Sequence, residues 1–191
     1  ACVDVGVRTV ILTVTDASGL SSTCRASITV IDDTPPIALC SDFSVNVDAN
    51  GNASITTADI NNGSNDLCSG VNLQLNTTTF DCSNKGNNTV VLTVTDGSNN
   101  TATCTAIVTV DDIIPPTVTC IPDFTMQLDA DGSVSLSETH FIATDADNCA
   151  VTMRSATPTT FLCTDKVAPV AVTVTVSDAC NNTSQCTVNV T

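Results

Sequence analysis

One unit of sequence returns at a fixed step, and that recurrence constrains the fold more than any other feature. The stretch TVILTVTDASGLSSTCRASITVIDDTPP, residues 9–36, comes back as TVVLTVTDGSNNTATCTAIVTVDDIIPP at residues 89–116. A looser third copy, VAVTVTVSDACNNTSQCTVNVT, occupies residues 170–191. The cysteines keep the same step: Cys24 returns as Cys104 and Cys40 as Cys120, and Cys68 and Cys82 return one position later as Cys149 and Cys163. A fixed period of this kind overrides other fold signals. It divides the chain into residues 1–32, the C-terminal part of a truncated repeat, and two complete repeats at 33–112 and 113–191. Two strands cannot bury a core alone, so residues 1–32 are expected to need preceding chain.

Each copy reads as two alternating strands around a polar turn. Val10, Leu12 and Val14 alternate with Ile11, Thr13 and Thr15; Cys24, Ala26, Ile28 and Val30 alternate with Arg25, Ser27 and Thr29. Period two in β-branched residues predicts strands with one buried face. Val90, Leu92 and Val94, then Val172, Val174 and Val176, repeat the pattern. Asp48–Gly51 and Asp129–Gly132 read as plain turns, with glycine free to take a positive φ. The Pro-Pro pairs at 35–36 and 115–116 predict stiff, extended linkers. No stretch carries a helical period. About seven short strands per repeat, separated by turns, predict an all-β chain of tandem immunoglobulin-like β-sandwich repeats set end to end. The tryptophan usual on the third strand of antibody domains is missing, which excludes that branch of the fold.

A light core makes the cysteines necessary. The sequence includes five Phe and no Trp or Tyr, and a domain of about 80 residues buries only a modest share of its surface. Eleven cysteines supply staples and point to an oxidising, extracellular compartment. No close Cys/His pairing of the zinc type is present. Four cysteines per repeat allow three connectivities. Proximity of the first and last strands favours Cys40–Cys104 and Cys120–Cys186, leaving Cys68–Cys82 and Cys149–Cys163. Cys2 and Cys24 are expected to pair upstream. Cys180 is left over: free, paired with Cys186 across its hairpin, or bridging to another molecule.

The net charge is −15, with only five Lys and Arg. That excludes nucleic acid, whose binding needs basic residues to replace counterions, and works against anionic membrane surfaces. No apolar run is long enough to span a bilayer. Divalent cations are left as the natural ionic partner. In a sandwich with its termini at opposite poles, the linker before a repeat meets two of its loops. This would gather Asp32, Asp33, Asp66 and Asp96 at one joint, and Asp111, Asp112, Asp145, Asp147 and Asp178 at the next. Calcium takes six to eight oxygens in flexible geometry, and such clusters would supply them. Catalysis has no comparable candidate. The single histidine, His140, has no nucleophile and orienting acid placed with it by the sequence, and we expect no enzyme.

The pattern Asp33, Pro35, Pro36, Cys40, Gly51, Asp66, Cys68 and then Val90–Cys104 resembles the HYR (hyalin repeat) domain. The likeness is specific in the hairpin and linker. It implies an immunoglobulin-like fold and a role in cell adhesion. Long arrays of this kind are also similar to giant surface adhesins of Bacteroidetes-type bacteria, including those of gliding motility that leave by type IX secretion. Cys180 and Pro122 depart from strict repetition. The expected role is a spacer in a long extracellular, cell-surface adhesin or filament, with no required cofactor and calcium as an optional one. Its partners would be neighbouring repeats, other copies in a filament, or a surface anchor. The rival expectation is a stalk or ligand-binding module of a secreted multidomain enzyme or receptor.

Overall fold

The computed structural model describes residues 4–191, the side chains of 166 and 167 apart. Among these residues the chain forms β1 (Gly6–Thr15), β2 (Ser21–Val30), β3 (Phe43–Asn46), β4 (Asn52–Ser54), β5 (Asn72–Leu75), β6 (Thr79–Asp81), β7 (Gly86–Thr95) and β8 (Thr101–Asp111). It continues with β9 (Thr117–Cys120), β10 (Ser133–Ser135), β11 (Ile142–Ala146), β12 (Val151–Thr157), β13 (Thr160–Leu162), β14 (Val170–Asp178) and β15 (Thr183–Val190). A one-turn helix, α1 (Thr57–Ile60), interrupts the strands where the sequence shows no helical period. It is closed locally: the Asp59 carboxylate accepts the Thr56 N–H at 2.7 Å, and Ile60 anchors it in the core. Among the described residues no helix is long and apolar enough to cross a membrane.

The sheets are short and antiparallel in the main, as in immunoglobulin-like sandwiches. Their orders are β3-β8-β7-β5, β4-β6, β12-β14-β15, β9-β11, β10-β13 and β1-β2. The ladder β5-β7-β8 thus has its counterpart in β12-β14-β15, and β4-β6 in β10-β13. The chain falls into two compact units, residues 1–43, 55–78 and 88–108 in the first and 44–54, 79–87 and 109–191 in the second.

In the first unit, β5 pairs with β7 from Asn72↔Thr95 to Leu75↔Leu92. Val90, Leu92 and Val94 are wholly buried, with Ile55, Ile60, Leu75, Ala106 and Val108 also in the core. Cys40 and Cys104 are joined. The hairpin β1–β2 pairs over its whole length, Gly6↔Val30 to Thr15↔Ser21, yet Val10, Leu12 and Val14 are 48, 59 and 61% exposed. The alternation expected to bury one face makes the strands without burying them, because among the described residues no second sheet lies against the ladder.

In the second unit the core is Phe141, Phe161, Val172, Val174, Val188 and Val190, flanked by Phe124, Met126 and Val134. Cys120 and Cys186 are joined. The N-terminal stretch of this sandwich lies along β15: Phe124 N–H donates to the Asn189 carbonyl at 3.2 Å, and Thr191 N–H to the Phe124 carbonyl at 3.0 Å. The buried valines of β14 are those of the period-two pattern, so the sequence alternation translates directly into the buried face.

Candidate metal centre

The acidic residues do two jobs here, and the structure separates them. The first is turn-making. Asp178 Oδ1 accepts the N–H groups of Cys180 (2.7 Å) and Asn182 (2.9 Å), while Asn181 between them has φ 67°. Asp96 does the same for Ser98 and Asn100, both at 2.8 Å, around Asn99 at φ 70°. Asp16, Asp48 and Asp129 make the same turn, around Gly19, Gly51 and Gly132 at φ 82°, 75° and 73°. An aspartate that satisfies two N–H groups ahead of it, with a left-handed glycine or asparagine between, closes a tight turn without a helix or sheet ladder. In Asp48 these bonds, from Asn52 first and Asn50 next, hold the carboxyl below its ordinary pKa. In Asp96 burial pushes the other way, but the hydrogen bonds from Asn100, Ser98 and Asn99 outweigh it and the pKa is lowered.

The second job is clustering. Asp112, Asp147 and Asp178 each place a carboxylate oxygen within 4.8 Å of the others. Asp112 stands in the linker after β8, Asp147 in the loop after β11, and Asp178 at the end of β14. Their other contacts fix them in place. Asp112 Oδ1 accepts Ile114 N–H at 3.0 Å and Asn148 Nδ2 at 3.2 Å. Asp147 Oδ2 accepts the N–H groups of Cys149 and Ala150, each at 2.9 Å. Asn182 Nδ2 spans Asp178 Oδ2 and the Asp112 carbonyl, both at 2.8 Å. In the first unit Asp32, Asp66 and Cys68 form the matching group. Asp66 Oδ2 accepts Cys68 and Ser69 N–H at 2.7 and 2.8 Å, and Asn100 Nδ2 reaches the Asp32 carbonyl at 3.0 Å.

The remaining acids expected at these places do otherwise. Asp145 is ion-paired with Arg154, which raises the arginine pKa. Asp111 is exposed; its Oδ1 receives the Asp112 N–H at 2.9 Å and faces Cys180 Sγ at 3.6 Å. Asp33 is exposed, and Asp96 is committed to its own turn. Lys85 reaches the region by donating to the Ala179 carbonyl, and its pKa is raised, chiefly by Cys180. His140 is exposed and rests its ring 5.5 Å from that of Phe124.

The disulfides correct the expected pairing in one respect. Cys82 is joined not to Cys68 but to Cys149, with Cα atoms 5.4 Å apart. Cys149 is therefore not joined to Cys163, which is a free, exposed thiol. The cause lies in the Asp48–Gly51 turn, which meets the Asn148–Cys149 loop: Asn148 Nδ2 donates to the Asp48 carbonyl at 3.1 Å. A Cβ on Gly51 would stand 2.7 Å from both the Asn148 carbonyl oxygen and Cys82 Sγ. Only glycine lets the sulfur and the loop come that close. Cys68 is disulfide-bonded as well, so it offers no thiolate to a metal. Cys24 and Cys180 are free, and Cys186 is taken by Cys120, which removes the hairpin bridge considered for Cys180. Cys2 lies outside the described residues. The sequence does mark two kinds of cysteine. Cys68 and Cys149 each follow an aspartate by two positions, whereas Cys82 and Cys163 each follow a buried phenylalanine by two. Nothing in the spacing alone distinguishes a partner in the same repeat from one in the next.

No protein-family model matches the sequence, and comparison with curated proteins returns no match. Among solved structures, an I-band fragment from titin is 10% identical with a TM-score of 0.49, covering 97% of this chain and 74% of that one. Protocadherin Gamma B7 extracellular cadherin domains 1–4 are 13% identical with a TM-score of 0.38, covering 97% and 57%. The cis-dimer fragment of protocadherin gammaB7 is 18% identical with a TM-score of 0.43, covering 97% and 60%. The chain thus spans a little over half the length of those protocadherin fragments, and likenesses of this depth say nothing about ligands or partners.

Proposed function

We propose that this chain is a run of extracellular structural repeats, a spacer in a long cell-surface adhesin or filament. The observation that carries the reading is the Cys82–Cys149 bond. With repeats at 33–112 and 113–191, it is a second covalent connection between neighbours, in addition to the linker itself. One connection leaves a hinge; two restrict bending and twist. Within each repeat the Cys40–Cys104 or Cys120–Cys186 bond ties the last strand to the segment that opens the repeat. The array then behaves as a quasi-one-dimensional stack in which each unit leans on its neighbours. Its work is mechanical: to hold a distal binding element away from a surface. Calcium at the joints would add stiffness without being needed for the fold. A place in HYR-type adhesins, including those of gliding bacteria secreted by the type IX route, fits the hairpin and linker motifs.

A stalk on a secreted enzyme or receptor would use the same units. Electron microscopy of the native parent protein, sheared from its cell surface, tests the choice. The spacer reading expects thin fibres with a bead spacing of one small domain. A compact particle carrying only a short stem would overturn it.

A further inference from the structure

The geometry points to a calcium site built from Asp112, Asp147, Asn148 and Asp178. The clustering of three carboxylates is only the beginning of the case. Asp112 and Asp178 are 5% and 3% exposed. Asp112 Oδ2, Asp147 Oδ1 and Asn148 Oδ1 are all buried without a hydrogen-bond partner. Each of these side chains has its other polar atom engaged: Asp112 Oδ1 with Ile114 N–H, Asp147 Oδ2 with Cys149 and Ala150 N–H, Asn148 Nδ2 with the Asp48 carbonyl. The engaged atoms fix the orientation, and the unpartnered oxygens are what is left over. Buried polar atoms without partners are rare because each forfeits its hydration. Two of these oxygens are on carboxylates that cluster with Asp178 within 4.8 Å, and a cation seated there would compensate them. Lys85 is attracted by the charge of Asp111 and Asp178, but its ammonium donates to the Ala179 carbonyl and the three oxygens stay unpartnered.

The donor set selects the ion. It is all oxygen, carboxylate and amide carbonyl, which suits a hard cation and not zinc or copper. The ligands come from three separate segments whose backbones are fixed by other hydrogen bonds. Such a set does not readily contract to the short octahedral bonds of magnesium, whereas calcium accepts longer and irregular ones. Three carboxylates exceed the charge of one calcium ion, which leaves the site anionic and favours binding.

The corresponding place in the first unit is a weaker copy. Asp32 Oδ2 is also buried and unpartnered, but Asp32 is only half-buried, and Leu67, 86% exposed, stands where the second site has Asn148. The Asp112 site therefore carries the proposal. It stands independently of the spacer reading, since a calorimetric isotherm decides it whatever the parent protein is for.

The test is calcium titration of the chelator-stripped chain by isothermal calorimetry. The expected result is saturable binding with a Kd of about 10⁻⁴ to 10⁻³ M, the range of extracellular modules, not displaced by equimolar magnesium. Asp112→Asn should weaken it at least about tenfold, as should Asp147→Asn, which keeps the oxygen that accepts Cys149 N–H; one lost carboxylate charge in a dry site is worth that much. Circular dichroism shows which variant is folded, and Asp32→Asn serves as the control that leaves this isotherm in place. Absence of saturable heat from the unmutated chain up to about 10 mM calcium, ten times the weak end of that range, would overturn the proposal. An unchanged isotherm in either folded variant would do the same.

Discussion

A single aspartate chemistry recurs five times in this chain. At Asp16, Asp48, Asp96, Asp129 and Asp178 one carboxylate oxygen closes a turn by accepting two N–H groups around a left-handed residue. Gly51 is the most demanding of those left-handed positions, because it combines φ 75° with a Cβ path blocked at 2.7 Å by backbone and sulfur. Gly51→Ala should destabilise the chain by about 1–3 kcal/mol and slow formation of the Cys82–Cys149 bond. Gly63→Ala, at φ 87° with open space around it, should show the backbone strain alone. Urea melts and disulfide mapping of the pair check this, and equal effects would remove the steric part of the argument. Acid acts on the Asp48 turn and on three other hydrogen-bonded carboxylates. Asp48, Asp59, Asp81 and Asp123 all have pKa values lowered from the ordinary 3.8, by hydrogen bonds led by Asn52, Thr56, Ser83 and Asn189 respectively. A carboxyl with a lower pKa folded than unfolded contributes stability that is present above the unfolded value and lost as pH falls through the folded one. Urea midpoints measured from pH 7 to pH 2 in chelator should hold steady to about pH 4 and then fall; a flat profile to pH 2 would contradict it. The turns were legible in the sequence, since Asp followed three residues on by Gly or Asn is a signal with a mechanism. Their service to the acidic cluster was legible only in part. Asp145 and Asp111 sit as close in sequence to the cluster as its true members, and only the fold reveals that one pairs with Arg154 and the other faces outward.

At the level of elements, the same alternating hairpin appears in two conditions. Leu92 in β7 is wholly buried and Leu12 in β1 is 59% exposed, although the flanking sequence is nearly identical. Period two specifies the strand and its register; it does not supply the opposing sheet. The strand assignments and the closure of each sandwich by Cys40–Cys104 or Cys120–Cys186 were therefore readable in advance. The Cys82–Cys149 bond was not, because the repeat period fits partners in one repeat and in adjacent ones equally well. Only the docking of the Asp48–Gly51 turn on the Asn148 loop decides it. The thiols left over have a direct readout. Maleimide labelling of the unreduced protein, followed by peptide mass mapping, should modify Cys24 and Cys163 rapidly and the half-buried Cys180 more slowly, with Cys82 and Cys149 protected. Protection of Cys163, with a Cys149–Cys163 linked peptide in the unreduced map, would restore the pairing first expected from the sequence.

For the molecule as a whole, the consequence of the disulfides is a shortened path for tension. A pull entering at Cys40 crosses to Cys104, follows the backbone through the linker to Cys120, and crosses to Cys186. The two crossings bypass sequence separations of 64 and 66. At about 3.4 Å per extended residue, the backbone from Cys104 to Cys120 stretches to about 55 Å, against about 500 Å for the whole run from Cys40 to Cys186. Cys82–Cys149 adds nothing to this shortest path. On the proposed repeat boundaries its part would be to brace the linker, and calcium bound beside it at Asp112 and Asp147 would brace the same place. The central claim, that the chain is a covalently limited mechanical spacer, is tested most directly by single-molecule force spectroscopy with handles at residues 33 and 191. With the disulfides intact, unfolding should release only a small extension. Added reductant should lengthen the fully unfolded chain by about 440 Å. Full-length extension without reductant would mean the bridges do not limit the chain under load, and the spacer account would fail.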